Sequence, residues 1–175
     1  MLQQEVTSVF GIIMGTGVGG GLVVNNRLIA GKNLIAGEWG HNHLDASGGV
    51  CYCGRIGCVE TLISGPALER FYTNKTGHSK TLIEIADLAK AGDPSAQQTM
   101  DRLIHYFGIA ASSIVNMIDP DVVVIGGGVG NIERLYTDGF EELKKYAFSP
   151  KLNTRLLKPK LGDSAGVFGA AFLNS

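Results

Sequence analysis

The three cysteines of this chain, Cys51, Cys53 and Cys58, lie close together, and His41 precedes the first of them by ten residues. One imidazole and three neighbouring thiolates are the ligand set of a closed, tetrahedral structural zinc site. The two glycines between the second and third cysteines allow the backbone to turn until all the sulfurs face one ion. The sequence therefore predicts that residues 44–58, the cysteine loop, fold around Zn²⁺.

Two alternatives explain the cysteines less well. Buried apolar cysteines are common as single residues, but a Cys-x-Cys step on an ordinary strand points both side chains to the same face. A disulfide would leave one of the three thiols unpaired.

Size and charge exclude several classes of protein. The 175 residues are 45% hydrophobic with a net charge of -1, which is typical of one soluble domain or two compact subdomains. Without a basic patch, the sequence gives no electrostatic reason to expect nucleic acid or an anionic membrane as a partner. The first residues lack the pattern of a signal peptide. Together with the clustered thiols, this predicts a cytoplasmic protein.

A glycine loop at residues 15–21 lies between two predicted strands. Because Gly15, Gly17 and Gly19 leave backbone N–H groups unshielded, and Thr16 adds a hydroxyl, this loop is a candidate phosphate site. It matches neither a Walker loop nor a dinucleotide fingerprint, since a strand follows it. An ordinary glycine-rich hairpin is the alternative.

A second glycine segment, Gly126, Gly127 and Gly128, follows an apolar strand and precedes a predicted helix. A nucleotide base or ribose could lie against such bare backbone. Close packing of the strand against the helix is the alternative.

Glu38, His41 and Glu60 form a third candidate group, because two of them flank the proposed zinc ligands. Carboxylates and imidazoles are suited to sugars, since one carboxylate accepts hydrogen bonds from two hydroxyls. If His41 binds zinc through one nitrogen, the other remains free for a hydroxyl. The alternative is that both glutamates are solvated surface charges.

Hydrophobic periodicity predicts an α/β order of elements. Three antiparallel strands come first, followed by an extended segment and a mixture of helices and strands. We expect strands at 7–14, 20–24, 27–30, 121–125 and 155–158, an extended segment at 36–44, and helices at 60–72, 81–91, 95–117, 132–147 and 165–173. This order fits a single ribonuclease H-like lobe of the actin and hexokinase type. Its mixed sheet has helices on both faces, and the zinc-binding loop is an insertion.

The motifs together resemble the ROK family, which joins sugar-dependent repressors and bacterial hexose kinases. The resemblance rests on Gly37-Glu-Trp-Gly-His41 and on Cys51-x-Cys-Gly-x-x-Gly-Cys58-x-Glu60 with Ser64-Gly65. The loop Gly15–Gly21 is similar to the family's second phosphate loop, and Val124–Gly128 to its adenosine segment. Residues 165–171 resemble its closing helix.

The resemblance implies that Glu38, His41 and Glu60 contact a sugar, while the glycine segments hold ATP. It implies magnesium-assisted transfer of the ATP γ-phosphoryl group to a sugar hydroxyl of a hexose or N-acetylhexosamine. The family's Asp-x-Gly-x-Thr loop and catalytic Asn-Asp pair have no match here. We therefore expect residues 1–175 to be a C-terminal lobe, with no catalytic residue of its own and inactive in isolation. We expect its partner to be an N-terminal lobe or a second copy.

Two other functions remain open at this point. The lobe could be the sugar-sensing part of a ROK repressor, although a repressor has no need for a phosphate loop. It could also be a zinc-stabilised binding module without turnover.

Overall fold

A computed structural model describes residues 6–149 and 151–160, in which a mixed sheet of five strands has the order β3-β2-β1-β4-β5. The strands are β1 Ser8–Met14, β2 Val18–Val24, β3 Arg27–Leu28, β4 Val122–Gly126 and β5 Arg155–Leu157. β1 runs antiparallel to β2 and parallel to β4, and β4 runs parallel to β5.

The predicted antiparallel start of the sheet is confirmed. Asn25 and Asn26 connect β2 to β3 with φ angles of 50° and 60°. Two consecutive residues in the left-handed region are typical of a two-residue hairpin turn, and asparagine tolerates that region better than most residues. β3 is shorter than predicted, because its pairing with β2 covers only Arg27 and Leu28.

Five α-helices lie within the described residues: α1 Glu60–Ile63, α2 Gly65–Thr76, α3 Leu82–Lys90, α4 Pro94–Ile118 and α5 Asp138–Tyr146. The single helix predicted at 60–72 is wrong in one respect, because Ser64 is extended and divides it. The Ser64 hydroxyl accepts a hydrogen bond from Ala67 N and so caps α2. The helix predicted from residue 132 also begins later, since short 3₁₀ turns precede α5.

The core lies between the sheet and the helices. Phe10, Ile12 and Met14 alternate along β1 and are buried, whereas the intervening Ile13 is 50% exposed. On the helix side, α4 contributes an apolar stripe with the predicted spacing, including the fully buried Phe107. The described helices therefore build one continuous core with one face of the sheet.

Residues 36–44 were expected to be extended, and this prediction is wrong. Trp39–His41 form a 3₁₀ turn, and the buried Trp39 ring packs edge-on against Phe10 at 6.5 Å between centroids. The Trp39 Nε1–H donates to Gly19 O at 3.0 Å. The sequence indicated an extended segment, but the anchoring of one large side chain in the core determined the local backbone.

The predicted fold class, a mixed sheet with helices of the ribonuclease H-like type, is confirmed. The helix predicted at 165–173 lies outside the described residues. Among the described helices, none has the length and apolar character needed to cross a membrane.

Candidate functional site

The four predicted zinc ligands come together. One ligand atom from each of His41, Cys51, Cys53 and Cys58 lies within 4.8 Å of all the others. Cys53 Sγ and Cys58 Sγ are 3.6 Å apart, as are Cys51 Sγ and His41 Nδ1. A tetrahedral site with Zn–S bonds of about 2.3 Å has sulfur-to-sulfur edges of about 3.8 Å. The residues therefore fit a structural zinc ion, with His41 presenting Nδ1.

The thiols of Cys53 and Cys58 have shifted pKa values. Burial raises the pKa of the Cys58 thiol to about 12, whereas a hydrogen bond from the Arg55 backbone lowers the pKa of Cys53. A bound cation would favour the thiolate form of all three sulfurs. The chemistry of the donor set thus agrees with its geometry.

The cysteine loop has anchors besides the ligands. Asp45 accepts a hydrogen bond from the Tyr106 hydroxyl at 3.2 Å, and the Ser47 hydroxyl lies 3.0 Å from that of Tyr106. Arg102 Nη2 donates to Ser47 Oγ at 3.2 Å, and its guanidinium lies 4.7 Å from the ring centroids of Phe71 and Tyr106. α4 therefore holds the start of the loop. The sequence did not indicate these contacts, because the residues that make them are far apart in the chain.

Both glycine segments lie at the same edge of the sheet, where the parallel strands β1 and β4 end. Ile13 pairs with Gly126, and a Cβ on Gly127 would overlap the backbone carbonyl of Met14. In contrast, a Cβ on Gly15 or Gly128 would meet no atom within 4 Å. The segments are thus adjacent, and part of their backbone faces open space.

Glu60 connects the glycine loop to the cysteine loop. Its Oε2 accepts a hydrogen bond from Val18 N at 2.9 Å, and a Cβ on Gly17 would come within 2.7 Å of that oxygen. Glycine at position 17 therefore makes room for the carboxylate. Glu60 also lines a cavity of about 470 Å³ with Thr16, Tyr52 and Arg70.

Tyr52 is another residue that sequence reasoning missed. Its hydroxyl lies 2.9 Å from His41 Nε2, and its ring meets the imidazole edge-on at 5.1 Å. Desolvation raises the pKa of Tyr52, and the charges of Glu60, Cys51 and Glu38 raise it further. The charges of Glu38 and Glu60 thus both act on the hydroxyl that contacts His41. The available signal was its position between two ligand cysteines.

The chain is similar to known proteins over nearly all of its length. The ROK family model matches residues 1–175. The N-acetyl-D-glucosamine kinase of Vibrio vulnificus strain YJ016 is 36% identical over 181 residues, covering 98% of this chain and 60% of that kinase. The chain thus spans about three fifths of the curated relatives it matches.

Solved structures agree with this match. The ROK hexokinase from Thermus thermophilus is 36% identical with a TM-score of 0.87, covering 98% of this chain and 59% of that one. The ROK family glucokinase from Streptomyces griseus, solved with glucose and AMPPNP, is 28% identical with a TM-score of 0.85, covering 97% and 61%. A ROK family transcriptional regulator homologous to E. coli MLC is 27% identical with a TM-score of 0.76, covering 89% and 42%.

Proposed function

Because this chain belongs to the ROK family, we propose that it is the C-terminal, sugar- and ATP-binding lobe of a hexose or N-acetylhexosamine kinase. The observation that carries the proposal is the contact of Glu60 with Val18, because it links a candidate phosphate loop to a candidate sugar site. A phosphoryl acceptor and a phosphoryl donor must lie next to each other for transfer to occur.

We assign the sugar to Glu38, His41 and Glu60. Glu60 Oε2 accepts a hydrogen bond from Val18 N. Oε1 of the same carboxylate is therefore available to accept a hydrogen bond from a sugar hydroxyl. With zinc on Nδ1, a neutral His41 carries its proton on Nε2 and donates it outward. Glu38 is exposed beside them and offers a second carboxylate. Zinc, when bound, fixes the direction of His41 and gives the cysteine loop its shape.

We assign ATP to the glycine segments. Gly15, Thr16, Gly17 and Gly19 would surround the phosphates, and Gly126 to Gly128 would lie along the nucleoside. ATP supplies the phosphoryl group, and magnesium neutralises the charge that develops during its transfer. The Streptomyces griseus structure with glucose and AMPPNP supports this assignment by similarity.

The partner we propose is a first lobe, or a second copy in its absence. Leu34 is 80% exposed, and Leu28 and Ile35 are each 61% exposed, near the β3 edge of the sheet. Apolar side chains that are close together and exposed favour association. Sedimentation of the chain across micromolar concentrations tests this, and a strictly monomeric species would contradict it.

The second candidate function is a repressor, because a ROK family transcriptional regulator has a similar fold. The glycine loop distinguishes the two, because only a kinase requires a phosphate site. The test is a titration with N-acetylglucosamine, glucose and AMPPNP, followed by NMR of the amides of residues 15–19 and 126–128. Shifts with AMPPNP support the kinase lobe. Sugar binding without any nucleotide response supports the sensor, and binding of neither contradicts both.

A further inference from the structure

The Tyr52 hydroxyl contacts the nitrogen that the proposed function assigns to the sugar. Only His41 Nε2 is available outside the metal cluster, because Nδ1 faces Cys51 Sγ at 3.6 Å. The Tyr52 hydroxyl lies 2.9 Å from that Nε2. An imidazole coordinated through one nitrogen has a single N–H to donate through the other. A sugar hydroxyl that accepts from His41 must therefore displace the phenol oxygen or share its hydrogen bond.

The Tyr52 side chain can rotate away from His41. Its side chain is 82% exposed, so little packing is lost when it rotates about its χ1 bond. Its backbone, in contrast, is fixed between two ligand cysteines, and Cys51 N donates to Arg55 O at 2.8 Å. The side chain can thus move while the ligands on either side stay in place.

We infer that Tyr52 is a displaceable cap on the sugar-binding site, a positioning residue that holds the His41 ring with its Nε2–H facing outward and competes with the sugar for that N–H. This inference rests on the proposed function. While the site is empty, the phenol oxygen accepts the hydrogen bond from Nε2–H and holds the ring in place. When a sugar binds, a sugar hydroxyl accepts that hydrogen bond instead and the phenol rotates into solvent. No covalent bond changes.

The experiment compares the zinc-loaded chain with Tyr52→Phe, which keeps the ring and removes the hydroxyl. Because one hydrogen bond contributes about 0.5–1.5 kcal/mol, removing the competitor should tighten sugar binding roughly 2- to 12-fold. Titrations with N-acetylglucosamine and glucose give the dissociation constants. Tyr146→Phe is the matched control, since Tyr146 lies on α5 and its hydroxyl is near Glu142 instead. It should leave sugar affinity unchanged.

A second readout follows the proton itself. In ¹⁵N-labelled protein, the His41 Nε2–H should exchange with water more slowly in the wild type than in Tyr52→Phe, and sugar should shift its resonance. Zinc content must be equal in both proteins. Equal or weaker sugar binding by Tyr52→Phe, with the wild type binding sugar, overturns the cap alone. Absence of sugar binding in both proteins overturns the cap and the proposed sugar site together.

Discussion

The cysteine loop and the glycine loop meet in the same region of the molecule but are held by opposite means. The cysteine loop exposes its apolar side chains, including Val50 at 78% and Ile56 at 56%. Side chains that converge on one point hold it, together with backbone hydrogen bonds such as that from Leu44 N to Gly57 O at 2.7 Å. The glycine loop lies between the buried Met14 and Val18, and its shape comes from close backbone contacts. We therefore expect the cysteine loop to depend on a bound ion and the glycine loop to depend on the core.

Glu60 and Gly40 are among the residues that join these regions. Glu60 begins α1, two residues after the last cysteine, and accepts from Val18 N. Gly40, next to the ligand His41, lies against the Val18 carbonyl so closely that a Cβ would overlap it. We therefore expect a side-chain site and a backbone site that share a position to lose their structure independently of each other.

The largest effect should come from Cys58→Ser. Zinc binding at structural sites is worth about 10–16 kcal/mol in small zinc domains, so losing a ligand removes the main support of the loop. We expect residues 49–57 to lose their protection from hydrogen exchange. Residues 45–47 should keep part of theirs, because α4 still holds Asp45 and Ser47. Hydrogen exchange with mass spectrometry and a metal assay measure both.

The control lies within the same protein. β1 and β2 should keep their protection in Cys58→Ser, because their hydrogen bonds and core contacts do not involve the ion. Equal loss of protection in the sheet and in the cysteine loop would contradict the independence of the two regions. Undiminished zinc content in the variant would contradict the ligand assignment.

The sequence predicted the cysteine loop better than the contacts of the glycine loop, because ligand spacing is visible in a sequence and tertiary contacts are not. Ligand side chains have a spacing that chemistry requires, so Cys51, Cys53 and Cys58 indicated their partner His41 directly. The contact of Glu60 with Val18 arises from tertiary proximity, which residue spacing does not encode. The contact of Tyr52 with His41 was indicated only by the position of Tyr52 between two ligand cysteines. An extended segment was expected at residues 36–44, but Trp39 lies in a 3₁₀ turn because its ring fills the core beside Phe10. The antiparallel strands at the start of the chain were predictable, since hydrophobic periodicity indicated consecutive strands.

The next effect concerns the backbone contact. Gly40→Ala should destabilise the fold by about 3 kcal/mol, because the new methyl group overlaps the Val18 carbonyl and backbone must move. Gly15→Ala is the matched control, as its Cβ would meet nothing within 4 Å. Urea unfolding, monitored by the fluorescence of Trp39, the one tryptophan in the sequence, measures the stability of both variants. Equal stability of the two variants would show that the two regions are not in close contact.

Removing the Glu60 carboxylate should have a smaller effect. Glu60→Ala leaves Val18 N without its acceptor, and a hydrogen bond to a charged group is worth about 2 kcal/mol. Glu60→Gln keeps an acceptor oxygen and should recover most of that stability. Urea unfolding of the two variants provides the comparison. If Glu60→Gln is as unstable as Glu60→Ala, the charge rather than the hydrogen bond connects the loops.

The smallest effect should come from Tyr106→Phe, and its size should depend on zinc. The substitution removes the hydroxyl that contacts Asp45 and Ser47 but keeps the ring beside Arg102. In zinc-loaded protein we expect a loss of about 0.5–1 kcal/mol, because the ion already fixes the loop.

After chelation, the same hydroxyl is one of the few remaining anchors of the loop, so local protection at residues 45–48 should fall much more in Tyr106→Phe than in the wild type. Hydrogen exchange in the four combinations of protein and metal forms a double cycle whose coupling term measures this dependence. A coupling near zero would mean that α4 and zinc hold separate parts of the cysteine loop. A clear coupling would mean that the loop is one unit held from two sides.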